Sequence, residues 1–71
     1  MKDYVVIYER AGGNFSAYVP DLPGCVTTGK TIDETERNMQ EAIELYLDTL
    51  RSDGLPIPEP TTRTGQIRIA A

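Results

Sequence analysis

The sequence has no histidine and no tryptophan, and its single cysteine, Cys25, has no second thiol to pair with. Without histidine the chain lacks the commonest general base, the usual activator of serine and cysteine nucleophiles and the most frequent transition-metal ligand. Most hydrolytic chemistries are thereby removed, and so is an intrachain disulfide. Long apolar runs are missing too. Val5-Val6-Ile7 is the longest strictly aliphatic stretch, far short of the roughly 20 residues that cross a bilayer. No membrane association is expected. The first residues carry neither the apolar run nor the small-residue cleavage site of a secretory signal, and a lone cysteine suits a reducing compartment, so a cytoplasmic protein is expected.

What is present is one small domain. A chain of 71 residues removes only about 60% of its unfolded surface from water, which leaves a marginal core. With neither a disulfide nor a metal cluster to add stability, self-association is the expected remedy, as a homo-oligomer of dimer or tetramer size. The formal charge of −4 is unevenly spread. Residues 33–60 hold eight acids against Arg37 and Arg51, while the rest of the chain holds three acids and five bases. An anionic middle repels phosphate backbones and attracts a cationic protein.

Along the chain, Tyr4-Val-Val-Ile-Tyr8 is β-branched and aromatic, and Gly12-Gly13 supply a reversal into a second alternating segment. Strands are expected over about 4–9 and 14–19, with Phe15, Ala17 and Val19 on one face and Ser16 and Tyr18 on the other. Pro20 ends the second strand, Asp21 is placed to bond the backbone ahead of it, and Pro23-Gly24 fits the centre of a type II turn. A short third strand follows over about 25–29. Thr31 and Glu34 have capping-box spacing, and Thr35, Met39, Ala42, Ile43, Tyr46, Leu47 and Leu50 then recur at three- and four-residue steps. The spacing predicts a helix over about 32–53, stopped by Gly54 with Leu55 folding back on the last turn. Pro56, Pro58 and Pro60 impose an extended linker over 55–64, and Gln66-Ile-Arg-Ile-Ala70 alternates as a fourth strand over about 65–70. The fold class is therefore α+β, in the order β-β-β-α-β, with the last strand crossing over to lie beside the first in the spatial order 3-2-1-4. One helix covers one sheet face, leaving the other face or an edge for a partner.

Few residues carry candidate chemistry. Cys25 as a nucleophile needs a base the chain does not supply, whereas as a small apolar strand residue it needs nothing. Glu41, Glu44 and Asp48 share a helix flank and read as a solvated surface rather than a metal site. No catalytic, cofactor-binding or metal-binding residue is assigned, and no enzyme activity is expected. Tyrosine offers large contact area with a polar tip, and Tyr8 and Tyr18 are expected to pair across the hairpin. Together with Asp21, Glu41, Glu44 and Asp48 they form the candidate partner-binding set.

These segments, in this order, resemble the HicB-like antitoxins. The likeness is carried by Tyr4-Val-Val-Ile-Tyr8, the return strand ending Pro20-Asp-Leu-Pro-Gly-Cys-Val26, the Gly29-x-Thr-x-x-Glu34 helix entry, and Ala42-Ile-Glu-Leu-Tyr-Leu47 leading to Gly54-x-Pro-x-Pro58. The resemblance implies a partial ribonuclease H-like fold from the antitoxin half of a bacterial type II toxin–antitoxin pair. It also implies a partner: a small basic ribonuclease of HicA type, which uses a histidine to cleave messenger RNA and which the antitoxin neutralises. Longer members carry a C-terminal DNA-binding domain, and none is matched after residue 70, so direct operator binding is not expected of this short form. The fold likeness does not extend to nuclease chemistry, which needs carboxylates on the first strand, the helix and the last strand around divalent metal. Residues 4–8 and 66–70 contain none. The alternative is an oligomeric domain of the same fold without a toxin, acting as a scaffold or small-ligand binder.

Overall fold

The computed structural model describes residues 1–71 and contains three strands followed by one helix: β1 (Ile7–Ala11), β2 (Asn14–Tyr18), β3 (Val26–Gly29) and α1 (Ile32–Ser52). The sheet is antiparallel, in the order β1-β2-β3. Ala11 and Asn14 close the hairpin around Gly12-Gly13, which fixes the register: Ile7 opposes Tyr18 and Tyr8 opposes Ala17.

That register corrects the expected tyrosine pair. Partners in a ladder share a face and successive residues alternate, so Tyr8 lies with Ala17 on the helix side and Tyr18 lies with Ile7 on the open side. The two-residue reversal sets this parity.

Between β2 and β3 the chain makes two successive tight turns. The Leu22 amide donates to the Val19 carbonyl at 3.0 Å, and the Cys25 amide donates to the Leu22 carbonyl at 3.0 Å. Gly24 has φ +82°, the left-handed position that a type II turn reserves for glycine, as its spacing after Pro23 predicts. The double turn drives Leu22 inward to 0% exposure, where it joins Ala17, Val19, Cys25 and Met39 as the buried apolar core.

The helix begins where expected, with the Glu34 amide donating to the Thr31 hydroxyl at 3.0 Å. It ends in a Schellman motif, since the Leu55 amide reaches the Leu50 carbonyl and the Gly54 amide reaches that of Arg51, with Gly54 at φ +69°. Its inner stripe is the predicted one: Met39 and Thr35 are buried, and Ala42, Ile43, Tyr46 and Leu47 pack against the core. α1 lies over β2 and β3. Close approach is made possible by Gly29, where a Cβ would come within 2.4 Å of Thr35 Oγ1 and 2.8 Å of the Thr35 amide nitrogen.

The fourth strand expected over 65–70 is not formed, and neither is the 3-2-1-4 order. After the helix the chain runs extended along residues 2–4, where Lys2 pairs with Glu59 at 2.6 Å and the Tyr4 hydroxyl donates to the Pro58 carbonyl. Pro58 and Pro60 have no N–H to offer a ladder. Thr61 and Thr62 are then fastened to Asp21 at the double turn, which carries the chain past the end of the sheet instead of alongside β1. Residues 65–70 find no neighbouring strand, so their alternation has nothing to pair with. The first strand is also shorter at its start than expected, because residues 4–6 lack a ladder partner.

Candidate functional site

No three histidine, cysteine, aspartate or glutamate side chains gather as a metal-binding group. No helix is long and apolar enough to cross a membrane. Cys25 is 4% exposed, its Sγ lies 3.9 Å from Met39 Sδ, and burial pushes its thiol above the ordinary range. A thiol held protonated against a thioether is a core residue, not a nucleophile.

The features that remain are surfaces. The exposed acids of α1 include Glu41, Glu44 and Asp48 on its outer side and Glu36 on the flank toward Tyr8. Two of them are engaged within the helix: Gln40 Nε2 donates to Glu44 Oε1 at 3.4 Å, and Arg51 Nη1 pairs with Asp48 Oδ1 at 3.0 Å. Glu41 shares a surface hollow with Arg37 but makes no ion pair with it. The six candidate residues therefore do not form one patch. Glu41, Glu44 and Asp48 stay together on α1, Tyr18 lies on the open sheet face, and Tyr8 is half-buried against the core beneath the helix. Burial, and secondarily the charge of Glu36, raise the Tyr8 hydroxyl above the ordinary tyrosine range.

Asp21 has a different task from the one its turn position suggests. Its carboxylate accepts four hydrogen bonds from across 40 residues of sequence: from the amides of Thr61 and Thr62 at 3.1 and 3.0 Å, and from their hydroxyls at 3.0 and 2.9 Å. The Thr62 amide first, and the other three bonds with it, hold the carboxyl below the usual aspartate range despite some desolvation. A depressed pKa makes the clasp fully present above the ordinary aspartate value, about 4, and lost as pH falls through the lower folded value. The amides of Thr61 and Thr62 are expected to lose hydrogen-exchange protection, measured relative to the intrinsic rate at each pH, in that acid window, and Asp21→Asn to lose much of it at neutral pH; protection factors for Thr61 and Thr62 that stay the same from pH 6 to pH 2 would contradict the clasp. Nothing local in the sequence signals this pairing, because Asp21 and the two threonines are equally ordinary turn and connector residues.

Two exposed apolar residues escaped the pattern reading. Leu45 lies on the polar side of the helical stripe, 69% exposed, and Val26 stands on β3 at 65%. Between them is a groove of about 440 Å³ lined by Gly24, Cys25, Val26, Leu45, Tyr46 and Thr49. The hydroxyl of Tyr46 fixes its end by donating to the Pro23 carbonyl at 2.9 Å. A leucine on an otherwise charged helix face was the one sequence signal for this surface.

Residues 4–68 match the family of HicB-like antitoxins of bacterial toxin–antitoxin systems. Among curated relatives, the UPF0150 protein of Helicobacter pylori is 47% identical over 49 residues, covering 69% of this chain and 68% of that protein. Among solved structures, a HicA3 and HicB3 toxin–antitoxin complex contains a chain that superposes with a TM-score of 0.72 at 28% identity, covering 84% of this chain and 70% of that one. The crystal structure of TTHA0281 from Thermus thermophilus superposes with a TM-score of 0.69 at 36% identity, covering 89% of this chain and 82% of that one.

Proposed function

The chain belongs to the HicB-like antitoxin family of bacterial toxin–antitoxin systems, and from that premise we propose that it is a non-enzymatic binding module that neutralises a small basic HicA-type ribonuclease. The observation that carries this reading is the likeness to a chain of a solved HicA3 and HicB3 complex, joined to the charge of this molecule's own surface. Residues 33–60 hold eight acids against two bases, and α1 displays Glu36, Glu41, Glu44 and Asp48 toward solvent. A cationic ribonuclease is attracted to such a flank over about a Debye length, roughly 8 Å in physiological salt, before any short-range fit is made. Inhibition then needs only occupation of the toxin's RNA-binding or catalytic surface, and no chemistry from this chain.

Tyr18 and the acids of α1 are the contact residues of this proposal. Tyr8, beneath the helix, and Asp21, occupied by Thr61 and Thr62, shape the surface from behind. The working site is cytoplasmic, where messenger RNA is translated and a HicA-type toxin acts. The test is co-expression with the toxin encoded beside this chain's gene. Rescue of growth and co-purification of the pair are expected, whereas a stable, soluble chain that neither binds nor rescues would remove the proposal. The triple reversal of Glu41, Glu44 and Asp48 to lysine is expected to slow association about tenfold or more at low salt, with a smaller difference in about 0.5 M salt. Stopped-flow association rates at two ionic strengths check it.

A further inference from the structure

Residues 56–71 make no backbone-to-backbone hydrogen bond, although residues 66–70 have a strand's alternation. Ile67 and Ile69 fall on one side of that alternation and are 86% and 72% exposed. The molecule is correspondingly long. Its radius of gyration is 13.9 Å, against about 11 Å for a compact chain of this length. A strand-forming segment with two bare isoleucines, held clear of its own body, is unfinished structure.

The complementary feature is the outer edge of β3. The Val19 amide donates to the Cys25 carbonyl at 3.2 Å, which places Cys25, and by alternation Thr27, in the positions bonded to β2. The backbone N–H and C=O of Val26 and the N–H of Thr28 therefore point away from the sheet. The Thr28 carbonyl is already taken by Asn38 Nδ2 at 2.9 Å, so the helix closes one end of this edge and leaves the Val26 end open. Directly beside the open end lies the apolar groove bounded by Leu45.

We propose that residues 66–70 of one copy add as a strand to the β3 edge of a second copy, with Ile67 and Ile69 seated in the groove beside Leu45, and that the exchange is reciprocal, giving a symmetric dimer. Strand addition supplies main-chain bonds to both unpaired edges, and alternate side chains supply the fit. Charge favours a second copy as the occupant: residues 61–71 carry Arg63 and Arg68 and no acid, while residues 1–60 carry eleven acids against five bases. The groove's outer rim carries Glu41, which makes no ion pair, four residues before Leu45 on the same helix side, with the Asp48–Arg51 pair beginning three residues after it. The Asp21 clasp sets the point from which the segment departs, so the exchange has a fixed geometry. An apolar core of only five buried residues gives the isolated chain reason to gain this area.

Light scattering of the purified full chain tests the proposal. The expected mass is twice the 7.9 kDa chain mass. The Ile67→Asp/Ile69→Asp variant and the Leu45→Glu variant are each expected to run as folded monomers, with circular dichroism of the body retained because all three positions are exposed. Mixing the two variants is the discriminating step: one carries an intact segment and the other an intact groove, so a mixed dimer with one restored junction is expected. A wild-type monomer, or a dimer that survives either variant, or a mixture that stays monomeric, would overturn the proposal.

Discussion

Leu22→Ala is expected to lower the melting temperature by about 10–30 °C, the largest effect of any single side-chain truncation in this chain. Leu22 is fully buried, and truncating a buried leucine costs about 2–5 kcal/mol through lost transfer energy and an unfilled cavity. A domain of this length has roughly 4–10 kcal/mol of total stability, and each kcal/mol shifts its melting by about 4–8 °C. The collapse of the site is further restricted, because the amide and the carbonyl of Leu22 are both committed to the double turn. Thermal unfolding followed by circular dichroism measures the shift, and Leu22→Met, which nearly keeps the volume, is expected to cost less than about 1.5 kcal/mol. A change of only a few degrees on Leu22→Ala would mean that this turn does not anchor the core.

Gly29→Ala is the second severe change, expected to cost about 1–3 kcal/mol, and Gly29→Val more. The cause is space rather than backbone conformation. An added methyl would meet the Thr35 hydroxyl at 2.4 Å, its amide nitrogen at 2.8 Å and its Cα at 3.0 Å. Two of these atoms are backbone in the first turn of α1, where the Thr35 amide and hydroxyl both donate to the Thr31 carbonyl. Relief requires moving the helix start away from β3, which weakens the packing of Met39 and Cys25 behind it. Replacing Thr35 with alanine in the Gly29→Ala background is expected to recover part of the loss, since it removes the nearest atom but not the backbone. Denaturant unfolding of the two single variants and the double variant measures this coupling; strictly additive losses would place the strain elsewhere.

The sequence made the local grammar readable wherever a signal and its consequence sit within a few residues. Pro23-Gly24 specified its turn, Thr31 its helix start, Gly54 the helix stop, and the three- and four-residue spacing the inner face of α1. What could not be read depends on pairings distant in the chain. Asp21 finds Thr61 and Thr62 only after the helix and the proline-rich connector have brought them together. That same clasp holds the connector at the double turn, and residues 65–70, whose alternation predicts a strand, form none. The Tyr8 and Tyr18 error was one of parity, set by a two-residue reversal whose length decides which faces meet. Of the candidate site, the acidic flank was legible because charge on a helix stays where the sequence puts it. The groove was not, since Gly24, Cys25 and Val26 approach Leu45 only in the folded molecule.

The double turn from Pro20 to Gly24 thus serves the fold from both sides. It buries Leu22 inward, and through Asp21 it fixes the connector outward. The binding surface proposed for a toxin rests on this frame and contributes charge and shape.

The most direct measurement is messenger RNA cleavage by the purified cognate ribonuclease, followed as this chain is added. Cleavage is expected to fall in proportion to added chain and to stop near a stoichiometric ratio, with the triple lysine variant requiring more protein. Undiminished cleavage at about tenfold excess of folded chain, at concentrations above any useful affinity, would contradict the antitoxin reading.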